Sequence, residues 1–116
     1  MKTHKDLEVW KESIDLVEMM YIETKTYPDE EKYSLVSQMR RAAVSIPSNI
    51  AEGYARNSIK ELIRFLYIYL SSLSELETQV IISNRLKYLN PQKLMEQIEL
   101  IRKKLLNLIK YQKTKL

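Results

Sequence analysis

The chain has 116 residues with one glycine, three prolines, no cysteine and a formal net charge of +4. That length gives one domain with a real core, and the scarcity of glycine beside abundant Leu, Ile, Glu and Lys gives an all-helical class. The missing cysteines exclude disulfide and thiol chemistry and suit a reducing cytoplasm; the charged N-terminal MKTHKDLEVWKES has no secretory h-region, and no apolar run approaches the ~20 residues of a membrane span.

Four helices are expected, over residues 6–26, 34–56, 59–87 and 91–112, in a single domain over 1–116. In the first, Leu7, Trp10, Ile14, Val17, Tyr21 and Thr24 recur by three and four, and this seam is expected to face the core. Val9, Leu16 and Met20 form a second, narrower apolar line. Trp10 reads as a core or interface anchor, and His4 falls in an N-terminus expected to fray. Pro28 ends the helix. Asp29, Glu30 and Glu31 are consecutive carboxylates, a poor metal cage, and read better as negative charge near the start of the next helix.

The second helix carries three stripes at about 100° per residue. Leu35, Met39, Ala42, Ile46, Ile50 and Gly53 form a core face. Gln38, Arg41, Ser45, Ser48 and Glu52, with Asn49 nearby, form a polar cluster. Val36, Arg40, Val44, Pro47, Ala51 and Tyr54 form a third, mostly apolar stripe. A surface helix ordinarily has one apolar stripe, so the third marks a candidate interface with a second subunit; packing on the remaining helices of the same bundle is the alternative. Pro47 cannot donate to the Ala43 carbonyl and crowds it, so a kink is expected there, with Ser45 and Ser48 placed to bond freed backbone groups.

Ser58 and Glu61 form a capping box for the third helix. Its core face is expected to hold Ile59, Leu62, Ile63, Leu66, Leu70, Leu73, Val80 and Ile81. Glu77 falls on or near that face and needs a partner, for which Arg41 is the candidate. Asn90-Pro91 opens the fourth helix as N-cap and first helical residue, and Leu94, Ile98, Ile101, Leu105, Leu108 and Gln112 form its seam. Short connections make consecutive helices antiparallel neighbours, so the fold expected is a left-handed up-down-up-down four-helix bundle kinked at Pro47.

QMRRAAVSIPSNIAEGYAR, from Gln38 to Arg56, resembles the signature of the 23S rRNA intervening-sequence protein family, also called four helix bundle proteins. DLEVW at Asp6–Trp10 resembles the family's opening helix, and FLYIYLSSLSELETQ at Phe65–Gln79 its third. Tyr69 and Ser71 stand where the family usually carries alanine and glycine, so a changed approach of the third helix to its neighbour is expected. The resemblance implies a helical bundle, a core polar cluster near Arg41, and a ring-shaped homo-oligomer, typically a pentamer. It implies no particular activity.

No residues assemble into catalytic, metal or cofactor chemistry. His4 is the sole histidine, and the sequence holds no P-loop, no Cys pair and no Glu-x-x-His. No small-molecule substrate and no membrane partner is indicated. Charge is uneven: residues 1–33 carry five lysines against nine carboxylates, whereas residues 90–116 carry seven basic against two acidic residues. Arg56, Lys60, Arg64, Arg102, Lys103, Lys104, Lys110 and Lys113 are candidate phosphate contacts to RNA or a nucleic-acid–protein complex, with Tyr67, Tyr69, Tyr88 and Tyr111 available to stack on unpaired bases. The alternative is a protein-binding or scaffolding ring, in which the acidic first helix of one subunit pairs with the fourth-helix lysines of the next.

Overall fold

Each expected helix forms in the computed structural model, which describes residues 3–116. The first two residues of the expected domain, Met1 and Lys2, lie outside that range. The helices are α1 (Glu8–Thr24), α2 (Leu35–Tyr54), α3 (Ile59–Arg85) and α4 (Gln92–Lys113), with 3-10 turns at His4–Asp6 and Asp29–Glu31 and no strand among the described residues. α1 packs on α2 and α4, and α3 packs on the same two helices, so α1 and α3 lie diagonally across the bundle. Antiparallel order is visible in the cross-helix pairs. Ser83 of α3 donates to the sulfur of Met39 near the start of α2, while Gly53 at the other end of α2 touches Leu62 and Phe65.

Local signals account for the helix ends. Ser58 Oγ accepts from the Glu61 amide at 3.1 Å; the reciprocal half of the capping box is replaced by an ion pair from Glu61 to Arg64. Asn90 Oδ1 accepts from the Gln92 amide at 3.1 Å, and Pro91 already has helical φ and ψ. The end of α3 is closed by the Lys87 amide on Asn84 and the Tyr88 amide on Ser83, with Lys87 at φ 63°. That is a Schellman motif whose left-handed position holds lysine instead of the usual glycine. α2 runs without interruption through Pro47. Ser45 and Ser48 bond the carbonyls of Ala42 and Val44, on either side of Ala43.

The core differs from the sequence expectation most in α1. Its buried residues are Val9, Ser13, Leu16, Met20 and Thr24. The narrower line therefore faces inward, and the broader line from Trp10 to Tyr21 sits partly open beside α2. Ser13 disguises the inward line, yet its hydroxyl is fully satisfied: it donates to the Val9 carbonyl at 2.6 Å and lies 2.8 Å from the Tyr69 hydroxyl. Tyr69 is 0% exposed. It reaches from α3 across the bundle to α1, which accommodates the large residue without a base-stacking role. Burial drives its phenol pKa well above the usual value. In α3, Phe65, Leu76 and Gln79 are buried and Ile81 is exposed. In α4 the expected seam is buried, except that Ile109 replaces the half-exposed Leu108.

The hydroxyl pair is asymmetric, because Ser13 has a second partner and Tyr69 has none. Tyr69→Phe should lower stability by about 1 kcal/mol. Ser13→Ala should cost more, about 1–3 kcal/mol, by leaving a buried hydroxyl unpaired. Urea unfolding midpoints check the order, and a larger loss in Tyr69→Phe would contradict it.

Candidate interaction surfaces

The polar cluster on α2 does not form a core network. Gln38, Arg41, Ser48 and Glu52 are exposed, and Ser45 and Asn49 are half-buried. Ser45, Ser48 and Asn49 bond carbonyls of their own helix, Glu52 pairs with Arg56 at 3.3 Å, and Arg41 makes no ion pair among the described residues. The expected partnership of Arg41 with Glu77 is corrected: Glu77 Oε1 and Oε2 accept from the Arg102 guanidinium at 3.1 and 3.2 Å, and Glu99 also binds Arg102. The reason is direction. Phe65 marks the side of α3 that meets Gly53 of α2, and Glu77, twelve residues on, is rotated about a third of a turn toward α4.

The third stripe of α2 is divided between the protomer and solvent. Val36 and Pro47 are buried, Arg40, Ala51 and Tyr54 half-buried, and Val44 is 41% exposed. α1 covers part of the stripe. Arg40 donates to Thr24 Oγ1 at 2.9 Å and to the Tyr21 carbonyl, with its guanidinium 4.4 Å from the Tyr21 ring centre. A shallow apolar groove remains between the helices, about 280 Å³, lined by Trp10, Ile14, Val17, Val44, Pro47 and Ala51. His4 is not loose beside it, since its ring meets Trp10 edge-on at 5.2 Å. Sequence reasoning placed Ile14 and Val17 in the seam of α1 and read Trp10 as a core or interface anchor, so the α1 half of the groove was only partly anticipated.

The basic candidates separate into committed and uncommitted groups. Arg102 is held by Glu77 and Glu99, as above. Lys104 Nζ donates to Glu12 at 2.7 Å and to Glu8 at 3.0 Å, tying α4 to α1 within one protomer. Lys104, one of the lysines for which pairing with the first helix of a neighbouring subunit was the alternative, thus has partners on the first helix of its own chain. Lys60, Lys103 and Lys110 are exposed and make no ion pair among the described residues. Lys60, Arg64 and Tyr67 fall four and three residues apart on one stripe of α3, and Lys103, Lys110 and Lys113 on one stripe of α4. The stripes join where Lys113 Nζ lies 5.2 Å from the Tyr67 ring centre. Arg56 and Arg64 flank the same Phe65 ring, at 4.9 and 4.7 Å. Tyr67 and Tyr111 are exposed. Tyr88 instead donates to Glu31 at 2.8 Å and packs on Tyr27; that bond, and then burial, raise its pKa. The loop carboxylates thus serve partly as an acceptor for α3's end.

Two outcomes follow. Arg102→Met leaves a half-buried carboxylate unpaired and should cost about 1–3 kcal/mol, while Arg41→Ala should stay within about 0.5 kcal/mol of wild type; chemical denaturation compares them. Second, the Lys104 hydrogen bond, then its charge, lower the Glu8 pKa. A lowered carboxylate contributes stability above its unfolded value and loses it as pH falls through the folded one. Lys104→Met should therefore flatten the fall in thermal midpoint between about pH 5 and about pH 3, and an unchanged acid limb would contradict the clamp.

Among known proteins, a family model described as 23S rRNA-intervening sequence protein matches residues 5–109. No curated protein matches the chain.

Proposed function

The chain belongs to the 23S rRNA-intervening sequence protein family, and we propose that it is a non-enzymatic, self-associating bundle that holds RNA by its phosphates. The observation that carries the reading is the pair of basic stripes on α3 and α4, joined at Lys113 and Tyr67. Lys60, Lys103 and Lys110 within them are exposed and form no ion pair among the described residues. The ion pairs of Arg56 and Arg64 are largely exposed, and such pairs are worth little, so both guanidiniums can be redirected to phosphate. Lysine and arginine on helix surfaces contact the backbone without reading bases, so low sequence selectivity goes with this arrangement.

Self-association is supported by the α1–α2 groove, where the exposed Val44 sits among apolar neighbours from both helices. The resemblance implies five subunits in a ring. A protein-binding or scaffolding ring is favoured by a different observation: Ile68, Ile82 and Leu86 remain exposed on α3. The two readings differ in salt response.

Replacing Lys60 and Lys110 with glutamine should leave the fold intact and lower the slope of log affinity against log salt by about 1.4 for single-stranded RNA, two contacts at ~0.7 each. Wild-type RNA affinity that ignores salt, or is undetectable, would remove the RNA reading. Val44→Glu places a charge in the apolar groove and should release monomers. Light scattering checks this, and a monomeric wild type at micromolar concentration ends the self-association reading.

A further inference from the structure

One end of the bundle contains a cavity of about 510 Å³, formed where the start of α1 meets the α2–α3 turn and the last turns of α4. Leu62 and Leu108 give it apolar walls, and Tyr54 and Tyr111 give it aromatic ones. Two cations, Arg56 and Lys115, line it, and no carboxylate does. Gln112 also lines it. That side chain is 5% exposed, and its Oε1 has no hydrogen-bond partner. Tyr54 lines the same cavity, and burial raises its phenol pKa against a smaller opposing influence from Gln112. The cavity therefore combines a buried acceptor lacking a donor, aromatic walls and two cations: Arg56, whose exposed ion pair with Glu52 spans 3.3 Å, and Lys115, whose Nζ lies 4.6 Å from the Tyr111 ring centre. The first turn of α3 adds to it, because Ser58 caps only the Glu61 amide and the amides of Ile59 and Lys60 have no partner within the helix.

These features select among ligands. A fatty or simple carboxylic acid answers the cations and the apolar wall but brings no donor for Gln112. Inorganic phosphate answers the cations and the α3 amides but offers nothing to the tyrosines or to Gln112. An amino-bearing nucleobase has a flat face for the tyrosines and an exocyclic amine for Oε1, and its 5′-phosphate answers Arg56, Lys115 and the α3 amides. We propose that this cavity binds a nucleoside 5′-phosphate carrying an amino-bearing base. The nucleotide is either free or an unpaired residue of an RNA strand, and only the second source rests on the RNA reading above.

The test follows ¹H–¹⁵N spectra of the full chain, reading the Gln112 side-chain amide and the Ile59 backbone amide for the cavity, and the Lys110 and Lys113 amides for the basic face. Adenosine and cytidine 5′-monophosphates should shift the cavity signals, with uridine 5′-monophosphate binding about tenfold more weakly. Gln112→Leu keeps the apolar shape of the side chain and should erase that preference; Ile59→Trp should fill the cavity and abolish binding, with helical circular dichroism verifying both folds. Heptaadenylate, compared with the same strand lacking bases, separates the sources: a base-dependent shift at Gln112 without a response to free nucleotide assigns the site to RNA. Cavity signals that answer neither adenosine monophosphate nor heptaadenylate overturn the proposal, even if the Lys110 and Lys113 signals move and the RNA reading survives. Equal affinity for all three monophosphates overturns it too. Free nucleotide binding without any RNA binding leaves this site standing and removes the RNA reading.

Discussion

Gly53 has no room for a side chain. A Cβ there would lie 2.9 Å from Phe65 Cβ and 3.0 Å from a Leu62 methyl. Overpacking of that kind costs about 1–3 kcal/mol, more than the roughly 1 kcal/mol that glycine forfeits inside a helix. Ala42 and Ala43 are buried in the same helix. With small residues along its inner side, α2 can seat closely on α3, and the other helices arrange themselves around that pair. α4 is tied across to α1 by Lys104 and to α3 by Arg102, both through carboxylates, so its outer lysines divide into structural and uncommitted groups. α1 meets α2 through Trp10, Val17 and Tyr21 without closing over Val44, and the apolar groove is what remains open.

Periodicity alone made most of this architecture readable. The α4 seam from Leu94 to Leu105 and the inner stripe of α2 from Leu35 to Ile50 are continuous apolar series, and both are buried. The α1 seam was misread because Ser13 breaks the inward line while Trp10, Ile14 and Val17 keep the outward one continuous. Burying Ser13 is cheap only because Val9 and Tyr69 satisfy its hydroxyl, and Tyr69 is 56 residues away in sequence. The helical wheel of one segment carries no trace of such a partner. Glu77 failed for a related reason. Its place near the apolar face was legible, but a helix packed on two neighbours has two flanks, and only the assembled bundle decides that this flank faces Arg102.

The candidate surfaces were less legible than the fold because residue counts do not record pairing. Residues 1–33 are acidic and residues 90–116 basic, which suggests a strong dipole along the chain. In the bundle α1 and α4 are neighbours, and Glu8 and Glu12 neutralise Lys104 across their contact. Arg102 is neutralised between Glu77 and Glu99. Two of the eight basic candidates are thereby committed within the protomer, and the positive field that remains is displaced toward Lys60, Lys110, Lys113 and the bundle end.

That displacement sets the two proposed surfaces apart. In the order α1–α2–α3–α4 around the bundle, the α1–α2 groove and the α3–α4 stripes occupy opposite sides. Burying Val44 and its apolar neighbours against another subunit leaves Lys60, Arg64, Lys110 and Lys113 facing solvent. Association then removes apolar surface from water without bringing the uncommitted lysines of the two partners together, so the like-charge repulsion that opposes crowding of basic residues does not act at the contact. Each added subunit would instead repeat the basic surface around the assembly, and contacts that are weak singly combine through effective concentration when one RNA strand spans several of them.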